Sequence, residues 1–195
     1  VAAIGVANQL VFFAILLFSF TATGTAVLIS QYLGAGLKKD AKQASAISLT
    51  INLGIGLVVS VLFVIFKGPL LNIFHLDEDI AIIGYDYLSI VGGTLFLQAM
   101  LVTISAILRS NGFTREAMFV SVMMNLIHLV GNALVIYGWF GFPEMGVKGV
   151  ALSTAFSRAA ALVIAFWFMY KRLPIRIEWN DYIDFQMTHI KKILK

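Results

Sequence analysis

The chain has no cysteine, which excludes disulfides, thiolate nucleophiles and cysteine-based metal sites. Charge is nearly as scarce: Asp, Glu, Lys and Arg make up 12% of the 195 residues, about half the share usual in a soluble domain. None of these charges falls within residues 1–37, 43–66, 87–108 or 117–143, and residues 149–170 hold one, Arg158. A water-soluble domain of this size cannot hide five such stretches. A bilayer can, because its hydrocarbon core takes roughly 20 apolar residues per spanning helix. The expected fold is therefore all-α, a polytopic membrane helix bundle with the lipid bilayer as its solvent. Enzyme chemistry is missing too. No glycine-rich phosphate loop follows a strand, no paired carboxylates lie within a span, and His75, His128 and His189 are far apart on different elements. No catalytic residue, resident metal or cofactor is expected. The net charge of +4 is no nucleic-acid signal, because where the basic residues sit matters more than their number.

What is present is five apolar segments of helix length, predicted over about 4–33, 41–66, 79–109, 115–137 and 147–171. Glycines punctuate them: Gly34-Ala35-Gly36 after the first, Ser110-Asn111-Gly112 after the third, and Pro143 with glycines between the last two. Pro174 bars continuation of the fifth. Five spans put the loops 34–42 and 109–116 and the C-terminal tail on one side. That side carries Lys38, Lys39, Lys42, Arg109, Arg115, Lys171, Arg172, Arg176, Lys191, Lys192 and Lys195, against Lys67 and Lys148 opposite. The asymmetry predicts that the first side is cytoplasmic, in a multi-pass protein of the cell membrane. Residues 1–172 are read as the bundle and 173–195 as a cytoplasmic interfacial linker. In the linker Trp179, Tyr182 and Phe185 alternate with acids and Ile190, Ile193 and Leu194 with lysines. The chain opens at Val1 without an initiator Met and ends on this basic segment, so it is expected to be part of a longer protein.

Polar side chains at bilayer depth are costly unless they face a partner or a wet cavity, which makes them the best clues to function. Asn125, His128 and Asn132 recur at i, i+3 and i+7 and share one helical face. Together they could coordinate a cation, bind a polar ligand, or hydrogen-bond a neighbouring helix. Gln98 lies near mid-span, and Asn52 stands beside Gly54 and Gly56, where close packing is the default. Thr154 and Arg158 share a face of the last span, and an arginine so deep must turn inward. The first span carries Asn8, Gln9, Ser19, Thr21, Thr23, Thr25, Ser30 and Gln31, which suits a cavity wall. Asp86 is expected to stay hydrated near the outer interface.

Three loop motifs carry a family resemblance. Residues 29–36, Ile-Ser-Gln-Tyr-Leu-Gly-Ala-Gly, resemble the Q-x-x-G-A-G exit of the second helix in MATE (multidrug and toxic compound extrusion) transporters. Residues 107–115, Ile-Leu-Arg-Ser-Asn-Gly-Phe-Thr-Arg, resemble the L-R-G-x-G-D-T-R turn after their fourth. Residues 146–154 resemble the G-V-x-G-A-A-x-A-T opening of their sixth. The resemblance implies that the five spans are helices two to six of an amino-terminal six-helix lobe, half of a twelve-helix transporter. Helix one and a second lobe would then lie elsewhere in the same protein. It further implies a secondary active antiporter that exports small organic, often cationic, compounds in exchange for H⁺ or Na⁺ by alternating access. Many relatives carry an Asn and, four residues on, an acid in the fifth helix. Here those positions read His128 and Asn132, so the acid is absent, while Thr154 matches a sixth-helix position nearby. The expected cation and substrate cavity thus comprises Asn132, His128 and Thr154, with Asn125, Gln98, Asn52 and Arg158 around it. A flippase for lipid-linked or polysaccharide cargo and a non-transporting membrane scaffold remain alternatives.

Overall fold

The computed structural model describes residues 2–74, 78–141 and 143–173. Of the linker expected over 173–195, all but Leu173 lies outside the described residues, as do His75 and His189. Seven α-helices are described and no strand: α1 Ala2–Gly34, α2 Lys38–Ile65, α3 Lys67–Asn72, α4 Glu78–Tyr87, α5 Leu95–Ser110, α6 Thr114–Tyr137 and α7 Gly146–Arg172. Helices α1, α2, α6 and α7 are each long and apolar enough to cross a bilayer, and α4 with α5 makes a fifth, bent span. The three motifs fall on the α1 exit, the α5–α6 turn and the opening of α7. At the first two, Gly36 (φ 75) and Gly112 (φ 86) take the left-handed conformation that ends a helix. Leu37 N donates to Tyr32 O and Phe113 N to Leu108 O, which caps carbonyls that water would otherwise have to reach.

The structure departs from the sequence prediction in the third span. One helix was expected over 79–109, but α4 passes into a π-helical stretch, Leu88–Gly92, and the chain bends by 43° before α5 begins. The cause is the Gly92-Gly93 pair. A Cβ on Gly92 would stand 2.9 Å from Phe63 Cβ, and one on Gly93 3.3 Å from Val64, so the break lies hard against α2. A bent helix in lipid must re-satisfy the backbone groups it frees. Ser60 Oγ of α2 accepts from Phe96 N (3.0 Å), and Thr94 Oγ1 donates to Ile90 O (2.9 Å). The prediction also missed α3, in which Pro69 sits within the first turn, where its missing N–H costs nothing.

Helix α5 is the axis of the bundle and packs against α1, α2 and α7. Two apolar clusters lie along it. One joins Leu28, Ile29, Ile47, Ile104, Leu108 and Ala165 toward the basic end. The other joins Ala7, Phe18, Leu71, Leu88, Leu95 and Ala151 toward the far end. Outside them runs a belt of exposed Phe12, Phe13, Phe20, Val58, Val61, Leu129, Phe156, Val163 and Trp167. Water would penalise an apolar surface of this extent, and hydrocarbon would not. Ion pairs occupy the ends: Arg172 Nε with Glu116 Oε1 (2.8 Å) and Lys148 Nζ with Asp86 Oδ2 (3.1 Å). Asp86 keeps part of its surface open, as expected of a hydrated group.

The packing of α2 on α5 makes a prediction. A Cβ at Gly56 would lie 2.9 Å from Phe96 Cα and 2.9 Å from Ala99 Cβ, whereas Gly54 has open space around it. Gly56→Ala is expected to cost about 1–3 kcal/mol through overpacking, read as a lower unfolding midpoint in detergent. Gly54→Ala should leave the midpoint unchanged or raise it slightly.

Candidate functional site

Helices α6 and α7 approach so closely that a Cβ on Gly131 would lie 2.4 Å from Ser153 Oγ, and one on Gly149 2.8 Å from Val135 Cβ. This seam brings the polar faces of the two helices together. His128 Nε2 lies 3.1 Å from Thr154 Oγ1 and 3.2 Å from Asn132 Nδ2. Ser153 Oγ donates to His128 O (3.3 Å), and Thr154 Oγ1 donates to Val150 O (2.8 Å). Two arrangements compete at one ring nitrogen. An unprotonated Nε2 accepts from Asn132; a protonated Nε2 donates to Thr154, whose hydroxyl already donates to Val150. Asn132 Oδ1 is buried and has no hydrogen-bond partner.

One turn along α7 from Thr154, Arg158 is only 8% exposed, and its Nη1 has no partner. Its guanidinium interacts electrostatically with Tyr87 and His128. Tyr87, the last residue of α4, donates its hydroxyl to Asn8 Oδ1 on α1 (2.7 Å). The cluster therefore runs Asn132–His128–Thr154–Arg158–Tyr87–Asn8 and draws on four helices. It holds one fixed positive charge and no carboxylate among the described residues, and no group of three His, Cys, Asp or Glu there could hold a metal. Tyr87 escaped the sequence reading. A phenol at the edge of an uncharged run looks like an interfacial aromatic, and only the inward turn of α4 shows it to be a cluster member.

The other expected residues are placed elsewhere. Asn52 is fully buried between α1 and α2, where Thr21 Oγ1 donates to its Oδ1 and its Nδ2 donates to Ser48 O (3.1 Å). Asn125 is exposed on the same face of α6 as His128 and donates to Ser121 O (2.8 Å). Gln98 lines a separate slot of about 160 Å³ between α5 and α6. An apolar groove of about 650 Å³, lined by Leu126, Val130, Leu134, Met145 and Phe156, flanks the α6–α7 seam and offers no comparable polar set. The hydroxyls of α1 that suggested a cavity wall are largely spent on their own helix: Ser19, Thr23 and Thr25 each donate to the carbonyl four residues back.

A helical membrane bundle with a polar cluster between its helices has the architecture of a transporter lobe. The chain belongs to the MatE family, whose match covers residues 1–134. Over all 195 residues it is 40% identical to a Bacillus subtilis protein named uncharacterized transporter YisQ, covering 43% of that relative. It is 30% identical over 171 residues to a Thermotoga maritima protein named probable multidrug resistance protein NorM, covering 87% of this chain and 36% of the relative. A crystal structure of MATE in the bent conformation superposes with a TM-score of 0.90 at 21% identity, covering 99% of this chain and 42% of that one. The chain thus spans less than half the length of these relatives.

The geometry separates Asn52 from the cluster in a testable way. Asn52→Leu would leave Thr21 and Ser48 without their amide partner, at a cost of about 1–3 kcal/mol. We expect a lower unfolding midpoint in detergent, measured by thermal denaturation.

Proposed function

We propose that this chain is the amino-terminal lobe of a secondary active antiporter that exports small organic, often cationic, compounds across the cell membrane in exchange for H⁺ or Na⁺. A second lobe of the same protein would complete the alternating-access pathway. The cluster at the α6–α7 seam would hold the coupling cation, with the basic loops and tail on the cytoplasmic side. The observation that carries this reading is the unpartnered Asn132 Oδ1 beside His128 and Thr154. A buried acceptor without a donor at bilayer depth costs stability, and a cation or protonated group would relieve that cost. The absence of a carboxylate among the neighbours leaves two sources of compensating charge. His128 can take up a proton itself, or an acid outside the described residues can complete the set. Names of relatives that denote multidrug resistance support the export of organic cargo.

The test uses the full-length protein in inverted membrane vesicles, with a fluorescent cationic dye supplied outside. Dye movement should follow an imposed proton or sodium gradient. His128→Ala and Asn132→Ala should each lower gradient-driven flux by about tenfold, equivalent to ~1.4 kcal/mol. No dye movement under either gradient would discard the reading. Arg158 supports a second one. Its buried, unpartnered Nη1 could meet an anionic head group, as a lipid-linked sugar flippase requires. That reading predicts binding of an anionic lipid-linked sugar that Arg158→Ala abolishes; the cation-coupled reading predicts no such binding.

A further inference from the structure

We propose that the slot between α5 and α6 is a water-filled passage by which the coupling cation moves between the His128 cluster and the basic end of the bundle, an inference that rests on the cation-coupled reading above. The slot holds about 160 Å³; its polar lining is Gln98, Ser105 and Arg109 of α5 and Ser121 of α6, and Leu101, Val102, Val120 and Met124 complete it. Positions 98, 102, 105 and 109 follow helical spacing, so Gln98, Ser105 and Arg109 form a polar stripe on the face that α5 turns toward α6, with Leu101 and Val102 beside it. On α6, Ser121 lines the slot, and Asn125, His128 and Asn132 follow it at successive turns along one face of the helix. The two helices run antiparallel across the turn at Gly112. Gln98 and Asn125 therefore lie at similar depth, and His128 is the next polar step inward. Successive polar groups stand about one helical turn apart, roughly 5 Å, a spacing that single waters can bridge.

Size decides what can pass. At liquid density the slot has room for roughly five waters. Sites for organic ligands are usually 300 Å³ or more, so the slot excludes cargo and admits water, H⁺ or a bare metal cation. Cargo and coupling ion would then leave the lobe by different routes. The polar lining also argues for water, because amides and hydroxyls in hydrocarbon are costly unless they are hydrated or paired. Arg109 stands exposed at the mouth, where solvent and salt screen its charge.

The absence of cysteine in this chain makes the test direct. In the full-length protein, with any cysteines outside residues 1–195 replaced, single cysteines are placed by Gln98→Cys, Ser105→Cys, Ser121→Cys and Asn125→Cys. Val122→Cys and Leu129→Cys serve as controls on exposed apolar positions of α6. A membrane-impermeant methanethiosulfonate reagent is applied to either side of oriented proteoliposomes. Slot cysteines should react from the basic-end side about tenfold faster than the controls, because the reactive thiolate forms only where water reaches it. Adding Ser105→Phe to the Asn125→Cys protein should slow labelling from that side. Labelling no faster than at Val122 and Leu129, or only from the opposite side, overturns the passage. The readout is independent of transport. Failure of the passage shows as unlabelled slot cysteines where the cysteine-replaced parent exports dye, and failure of the export reading as labelled slot cysteines where that parent does not.

Discussion

In hydrocarbon a polar group has no water to fall back on, and nearly every feature of this bundle follows from that constraint. The bend between α4 and α5 persists because Ser60 and Thr94 take up the backbone groups that the break frees. The α1–α2 contact is held by an amide and a hydroxyl, Asn52 and Thr21, which find each other across it. Most serines and threonines simply return their proton to their own helix. Against this background the few buried polar side-chain atoms left without a partner among the described residues are conspicuous: Ser48 Oγ, Asn132 Oδ1 and Arg158 Nη1. Two of the three lie in the cluster at the α6–α7 seam. Ser48 packs within the α2 core, and nothing around it explains the vacancy.

The bundle was legible in the sequence because the solvent writes it there. Uncharged runs of helix length, bounded by glycine turns and basic loops, specify spans almost regardless of what packs inside them. The interior was less legible. The face shared by Asn125, His128 and Asn132 was visible from spacing, but spacing cannot say which neighbour that face meets. The partner turned out to be Thr154 for His128, and for Asn125 the carbonyl of Ser121 on its own helix. The bend escaped because a Gly-Gly pair reads equally well as close packing. The π-helical turn depends on Phe63 and Val64, some thirty residues away in the chain. Tyr87 was missed for the same reason, since its role depends on where that bend sends α4.

Close approach and polar clustering are linked. Gly131 and Gly149 let α6 and α7 touch nearly at backbone distance, which brings a histidine on one helix and a threonine on the other within hydrogen-bonding range. A larger residue at either glycine would open the seam and separate those donors and acceptors. The small residues that give membrane helices their adhesion thus set the geometry of the cluster as well.

Arg158 gives the cluster its electrical character. It is the cluster's one fixed positive charge among the described residues, it is buried, and like charges at short range in a weakly polarisable medium repel strongly. On the proposed reading, a bound cation must therefore either displace Arg158 toward Tyr87 and Asn8 or arrive with a negative partner. Tyr87 is already tied to α1 through Asn8, so a shift of Arg158 would be felt across α1, α4 and α7 together. On that reading, a charge that enters at α6 and is answered at α1 acts on four helices through one cluster, and coupling of that kind lets ion occupancy change which side is open.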